Sequence, residues 1–250
     1  MAKQTEFDRE LARLEAEYIR RASCGDYTAR YSYFNEAALH RVHSLERNLL
    51  ALLKRHKVTS LSEKKILDVG CGSGGFLRRF LDYGASPEHL SGIDLMSQRI
   101  EQAKHLHPGL DWRVGSAHEL PYASASFDLV MSFVVFSSIL DEPLRQQIVS
   151  EIWRVLKPGG LILLYDFTYS NPHNTAVAGV SQREIKQLFS GPGVCFDFRR
   201  ITLAPPISRM VAPRAYWLAS LLERCKVLNT HVISIISKEE EAIPSSQRKR

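Results

Sequence analysis

The residues able to do chemistry in this chain cluster around one glycine-rich segment. Lys-Ile-Leu-Asp-Val-Gly-Cys-Gly-Ser-Gly-Gly (65–75) places Asp68 two residues before Gly70, and Gly70, Gly72 and Gly75 satisfy G-x-G-x-x-G. Glycines allow a backbone to approach its ligand closely, and taken literally this spacing is the dinucleotide fingerprint. Two acids argue otherwise. A carboxylate at Asp68 repels a pyrophosphate and attracts an ammonium group. Asp94, in Ser-Gly-Ile-Asp-Leu-Met (91–96), lies 24 residues beyond Gly70, near the roughly 20-residue offset of a carboxylate that grips ribose hydroxyls. A ligand with a ribose, an ammonium group and no phosphates suits both acids. S-adenosylmethionine has those parts; a nicotinamide dinucleotide does not. Structural roles stay open beside this one: Asp68 as a cap of the following turn, Asp94 as a helix N-cap.

The elements that must hold these residues read as alternating strands and helices. Short apolar runs predict strands over 65–69, 90–94, 110–115, 127–133, 160–166, 195–203 and 230–238. Apolar residues three and four apart predict helices over 75–83, 97–106, 144–156, 181–189 and 214–225. Gly84, Pro108, Pro121, Pro143 and Pro158-Gly159-Gly160 punctuate them, the last as a turn into the fifth strand, and 204–207 reads as a proline-rich turn. This alternation implies an α/β fold: a doubly wound, mostly parallel seven-stranded sheet covered on both faces. Ligands in such sheets bind beyond the carboxyl ends of the strands, where the glycine segment falls. Ahead of the sheet, 6–21 and 40–56 carry helical periodicity on either side of an aromatic stretch. The expected organisation is a helical cap or lid over 1–62, a ligand-binding domain over 63–240, and a disordered basic tail over 241–250.

Further segments follow in order: Gly-Ser-Ala-His-Glu-Leu-Pro-Tyr (115–122), Ser-Phe-Asp-Leu-Val-Met-Ser (126–132) and Glu-Ile-Trp-Arg-Val-Leu-Lys-Pro-Gly-Gly-Leu-Ile-Leu-Leu (151–164). With the glycine segment and Gly-Ile-Asp-Leu (92–95), they resemble the class I S-adenosylmethionine-dependent methyltransferases, notably the small-molecule branch with the type 11 pattern, over about 61–167. The resemblance implies a Rossmann-like methyltransferase fold with S-adenosylmethionine as cofactor. It implies that Gly70, Cys71, Gly72 and Gly74 wrap the methionine portion, that Asp68 supports its amine, and that Asp94 binds the ribose. Leu95 and Met96 would flank the adenine, and Ser116 and Ala117 would contact its amine and ring. The family commonly has Asp where this chain has the uncharged Ser116. Ser132 and Phe133 would line the methyl-transfer cavity. Leu95, Met96 and Phe133 also read as plain core residues.

A sulfonium methyl group is already electrophilic, so the protein must align an acceptor lone pair and exclude water. A hydroxyl acceptor additionally needs a base, whereas a neutral amine does not. Met-Ser-Phe-Val-Val-Phe-Ser-Ser (131–138) lacks the Asn-Pro-Pro-aromatic motif of nucleobase-amine methylation and the Pro-Cys of cytosine chemistry. No Asp-rich cluster suggests a magnesium-chelated catechol site, and no metal is expected. His173 is the candidate general base, with Asp166 orienting or replacing it; exposure of the histidine and satisfaction of loop amides by Asp166 are the competing readings. Ser137 and Ser138 either face the cavity or cap the approach to the next helix. Tyr31, Tyr33, Phe34 and Tyr165 are candidate acceptor contacts. The aromatic stretch reads either as a lid closing over the cofactor or as packing against the sheet. The segment 204–229 reads as a substrate wall, a membrane-grazing surface or a solvated edge, and its Arg209, Arg214 and Arg224 suit an acidic acceptor. Tyr-Asp-Phe after the fifth strand and Leu-Ala-Pro-Pro at 203–206 are similar to methyltransferases encoded among bacterial polysaccharide or secondary-metabolite genes.

Composition narrows the class further. The chain has 250 residues, 44% hydrophobic and 24% charged, which suits an ordinary globular domain and excludes collagen-like and largely disordered chains. Its net charge of +6 is dispersed among acids, apart from Arg248-Lys249-Arg250, so nucleic acid is not the favoured partner. Apolar runs are too short for a membrane span. Cys24, Cys71, Cys195 and Cys225 lack metal-ligand spacing and read as reduced thiols in a cytoplasmic protein. The reading is a monomer or homodimer that methylates a small molecule, first a hydroxyl of a sugar, glycolipid or secondary metabolite. Alternatives are methylation of a peptide or protein side chain or carboxylate, and a non-catalytic S-adenosylmethionine-binding protein.

Overall fold

The computed structural model describes residues 2–22, 32–170 and 174–238. Seven strands form one sheet in the order β3-β2-β1-β4-β5-β7-β6. They are β1 (Ile66–Val69), β2 (Leu90–Asp94), β3 (Asp111–Val114), β4 (Phe127–Phe133), β5 (Leu156–Phe167), β6 (Val194–Leu203) and β7 (Asn229–Lys238). β1 through β5 pair in parallel, while β7 inserts antiparallel between β5 and β6. The expected mostly parallel, doubly wound sheet is thus present, with its one reversed strand next to the edge.

Helices α1 (Ala2–Ala22), α2 (Glu36–Arg55), α3 (Arg79–Asp82), α4 (Ser97–Leu106), α5 (Glu142–Val155), α6 (Gln182–Leu188), α7 (Pro205–Val211) and α8 (Tyr216–Leu222) surround it. Several starts are chemically marked. Asn35 Oδ1 accepts from the Ala37 and Ala38 amides, Asp141 accepts from Leu144 N, and Ser181 with Glu184 forms a reciprocal capping box.

Side-chain parity along each strand decides the face it covers. Leu67, Val69, Val130, Ile162 and Leu164 face a cluster built with Ile148 and Ile152 of α5 and Ile185 of α6. Ile66, Leu129, Met131, Leu163 and Ile233 face the other cluster, with Leu45, Leu49 and Leu52 of α2, Phe80 of α3 and Ile100 of α4. α2 is therefore part of the layer that covers the sheet.

Three local expectations differ from the structure. Only Arg79–Asp82 of the expected 75–83 helix is α-helical; the stretch leading into it runs through three-residue turns, such as Arg79 N to Phe76 O and Phe80 N to Leu77 O. The turn expected at 158–160 lies within β5: Leu156 pairs with Phe127, pairing resumes at Leu161 opposite Leu129, and 157–160 bulge out. Pro205 and Pro206 open α7 instead of making a turn, since a first helical turn needs no donor from them.

Candidate active site

The glycine segment leaves β1 at the carboxyl edge of the sheet, and its conformation depends on missing side chains. Gly70, Gly72 and Gly74 have φ of +78°, +57° and +79°, a region that residues with a Cβ enter only at a cost. Close packing adds a second constraint at two of them. A Cβ on Gly70 would lie 2.4 Å from Val135 Cγ2, and one on Gly74 would lie 2.3 Å from the Trp112 ring. The loop is wedged between the segment after β4 and the indole of β3, whose Nε1 donates to His107 O at 2.8 Å.

Two carboxylates stand on the same sheet face beside this loop. Asp94 is buried and accepts from Gly72 N at 2.8 Å and from Met96 N at 2.9 Å, so it staples the loop to the start of α4. Each oxygen keeps a lone pair for a further donor. Asp68 is 2% exposed, and among the described residues its carboxylate has no hydrogen-bonding partner. Burial, then the neighbouring Asp94, pushes its carboxyl up to about 8. A buried carboxyl left without a partner beside a close-approach glycine loop fits a ligand that brings an ammonium group and hydroxyls.

The remaining residues expected to touch the cofactor lie in the glycine loop or at the carboxyl ends of the neighbouring strands β2, β3 and β4. Cys71 is buried, and burial pushes its thiol up. Leu95 and Met96 are half-buried where β2 passes into α4, and Leu95 also packs on the core. Ser116 and the half-buried Ala117 follow β3; Ser116 Oγ lies 2.6 Å from His118 Nδ1. Ser132 is buried and its hydroxyl finds no partner among the described residues. Phe133 meets Phe76 edge-on at 5.4 Å and Tyr165 at 5.8 Å.

The expected acceptor-side residues are not gathered into one group. Asp166 is fully buried and accepts from Ser137 N at 3.0 Å and Phe167 N at 2.9 Å; burial pushes it up to about 6 against those bonds. Tyr165 is buried, its hydroxyl 2.9 Å from Thr202 Oγ1, and burial raises it to about 12. Tyr33 lies at the surface, where its hydroxyl accepts from Arg79 Nη2 at 2.6 Å. Phe34 is 99% exposed. Tyr31 and His173 lie outside the described residues, as does the tail over 241–250.

Two features were not anticipated. His231, at the start of β7, stacks on Tyr165 with ring centroids 5.0 Å apart and the planes 13° apart. Burial, and then Arg41, pushes it down to about 3, so the imidazole is neutral at physiological pH. A histidine alone in a β-branched strand gives no spacing signal; only the pairing of Phe167 with His231 brings it to this edge. The second is that α1, expected as a helix, itself crosses the segments after four strands, a part the sequence suggests for the aromatic stretch after it. Phe7 packs edge-on against His118, and Glu10 accepts from Leu140 N at 2.7 Å. Arg13 donates to Ser138 O at 2.6 Å and Ala176 O at 3.4 Å, and the Arg99 guanidinium covers the Tyr18 ring at 4.2 Å.

Comparison with known proteins agrees with this geometry. Residues 67–164 match the methyltransferase domain family. The chain is 35% identical over 133 residues to a phthiotriol/phenolphthiotriol dimycocerosates methyltransferase of Mycobacterium ulcerans, covering 51% of this chain and 46% of that protein. It is 31% identical over 115 residues to a malonyl-acyl-carrier-protein O-methyltransferase of Erwinia billingiae, covering 46% of this chain and 43% of that protein. The chain spans about half the length of the curated relatives it matches. In fold it is similar to a crystal structure from Pyrococcus horikoshii, with a TM-score of 0.57 at 17% identity over 80% of this chain and 90% of that one. Residues 67–164 thus match the methyltransferase domain on a fold similar to that of class I S-adenosylmethionine-dependent methyltransferases, and S-adenosylmethionine is the cofactor that this domain implies.

Proposed function

We propose that this chain transfers a methyl group from S-adenosylmethionine to a small-molecule acceptor, with a hydroxyl of a sugar, glycolipid or secondary metabolite as the acceptor group. The observation that carries the reading is the pair Asp68 and Asp94 on one face beside the positive-φ glycine loop. Asp68 takes the ammonium group, Asp94 the ribose hydroxyls, and Gly70, Cys71, Gly72 and Gly74 enclose the amino-acid portion. Leu95, Met96, Ser116 and Ala117 border the adenine, while Ser132 and Phe133 border the methyl group. The bound cofactor supplies an electrophilic methyl group. The chain's own part is to exclude water and orient the acceptor. α1 roofs the crevice by spanning the loops that hold adenine and ribose, which gives the N-terminal segment its role as a cap.

On the acceptor side, the buried Phe133 and Tyr165, with the neutral His231 stacked on Tyr165, back the proposed cavity and keep it rigid. His173 is the base in this reading. Asp166 is a positioning residue that holds the Ser137 and Phe167 amides together. The relative named as an O-methyltransferase supports oxygen as the receiving atom. Titration calorimetry with S-adenosylmethionine, followed by a library of hydroxylated acceptors with methyl-labelled cofactor, tests the reading. Binding without label transfer to any acceptor supports the non-catalytic alternative; absence of binding overturns both.

A further inference from the structure

The insertion between β6 and β7 carries an exposed face unlike the rest of the surface. Along 204–228, Met210, Trp217, Leu221 and Val227 are all exposed, Trp217 by 70% and Val227 by 75%. Trp217 and Leu221 are four residues apart on α8 and so share one side of that helix. Arg209, Arg214, Arg224 and Lys226 stand exposed among them. Several arginines elsewhere pair with acids, as Arg13 does with Glu10, Arg113 with Asp111 and Arg154 with Glu151, while Arg99 and Arg200 lie against aromatic rings. Here none of the four cations makes an ion pair among the described residues; Arg209, Arg214 and Lys226 reach only backbone carbonyls. The single acid of the insertion, Glu223, is buried and engaged by Ser44, Arg47 and Thr202.

The position of this face is set by strand direction. β6 runs antiparallel to β7, which runs antiparallel to β5, so the insertion leaves the same edge of the sheet as the glycine loop. α2 begins beside it: Ala37 packs on the cluster formed by Leu203, Ala212 and Ala219, and Phe34 precedes that turn. Bulky apolar side chains interspersed with unpaired cations suit the boundary between water and an anionic bilayer. The apolar groups enter the headgroup region, an indole prefers that depth, and each cation meets lipid phosphate or carboxylate. A second protein copy presenting this same face would bring four cations against four.

We propose that the 204–228 face docks this chain onto an anionic lipid surface, turning the carboxyl edge of the sheet toward the bilayer. This inference does not depend on methyl transfer, because docking is measured without cofactor or acceptor.

The test is flotation of the full chain, tail included, with phosphatidylcholine vesicles with or without phosphatidylserine. The wild type is expected to float with the phosphatidylserine vesicles and to be released by salt. Two variants, Trp217→Ala with Leu221→Ser and Arg209→Gln with Arg214→Gln and Arg224→Gln, each lose about tenfold in partitioning with unchanged circular dichroism. In the wild type, tryptophan emission shifts to the blue on vesicle addition; in Trp217→Phe the shift disappears while Trp112 and Trp153 remain. Equal flotation of variants and wild type overturns the proposal, as does indifference to phosphatidylserine. A micromolar dimer dissolved by the Leu221 substitution, without vesicle binding, overturns it in favour of a second copy.

Discussion

The two halves of the sheet are built on different principles. On the β1–β2 side the site is made from backbone: three left-handed glycines, two of them pressed against Val135 and Trp112, and an aspartate whose oxygens hold amides. On the β5–β7–β6 side it is made from side chains: Tyr165 on His231, Tyr165 on Thr202, and Glu223 gathering Ser44, Arg47 and Thr202 N. The family match covers the first and stops at residue 164, before most of the second. A site of backbone admits few replacements, whereas a wall of side chains can be repacked for a new acceptor while the sheet stays as it is. In the proposed function the backbone-built half holds the cofactor and the side-chain-built half meets the acceptor.

That contrast breaks first at Glu223. Glu223→Ala leaves the Ser44 hydroxyl and the left-handed Thr202 amide without an acceptor in a buried place. The expected loss of folding stability is about 3 kcal/mol by chemical denaturation, with the cofactor Kd moved less than about twofold if the halves are independent. Asp94→Ala does the reverse. It removes two loop-amide bonds and the proposed ribose contact, so calorimetry should show S-adenosylmethionine binding weakened about a hundredfold, roughly 2.7 kcal/mol. Unchanged affinity would remove the ribose assignment.

A smaller effect sharpens the comparison through pH. Asp68 is raised from 3.8 to about 8 in the folded chain, so its protonated form adds stability below 3.8 that is lost as pH rises through about 8. An arriving ammonium group favours the ionised form. At pH below about 8, cofactor binding should therefore release a proton, seen as a dependence of binding enthalpy on buffer ionisation. Affinity then rises up to tenfold per pH unit, about 1.4 kcal/mol, toward that value, and Asp68→Asn abolishes the release. The smallest change is expected at Phe34→Ser. Its side chain is 99% exposed, so the free energies of folding and of cofactor binding should stay within about 0.5 kcal/mol of wild type.

Legibility in the sequence follows the same division. The glycine spacing and Asp94 were readable because a backbone-built site needs particular residue types at fixed intervals. The second duty of Asp94, stapling the loop through Gly72 N, was hidden because an amide has no sequence signature. Apolar periodicity at 75–83 suggested a full helix where the glycine loop leaves only a short one at its end. The Pro205-Pro206 pair read as a turn because a helix start and a turn use proline alike. On the acceptor side, His231 meets Tyr165 only through antiparallel register, which local sequence does not encode.

The way α1 is fastened bears on how fast a spent nucleoside could leave. Leu14 is its buried apolar anchor, while the buried Glu10, with Arg13 and Tyr18, holds loop carbonyls, an amide and a hydroxyl through part-buried polar bonds. Such a clasp joins charged groups to neutral backbone dipoles in part-buried places, so added salt screens it little, and it lets go only when several bonds break together. If α1 is the roof of the proposed site, residence time and tightness come apart: cutting Arg13 from the loops should quicken exchange, with little change in how firmly the crevice beneath it grips.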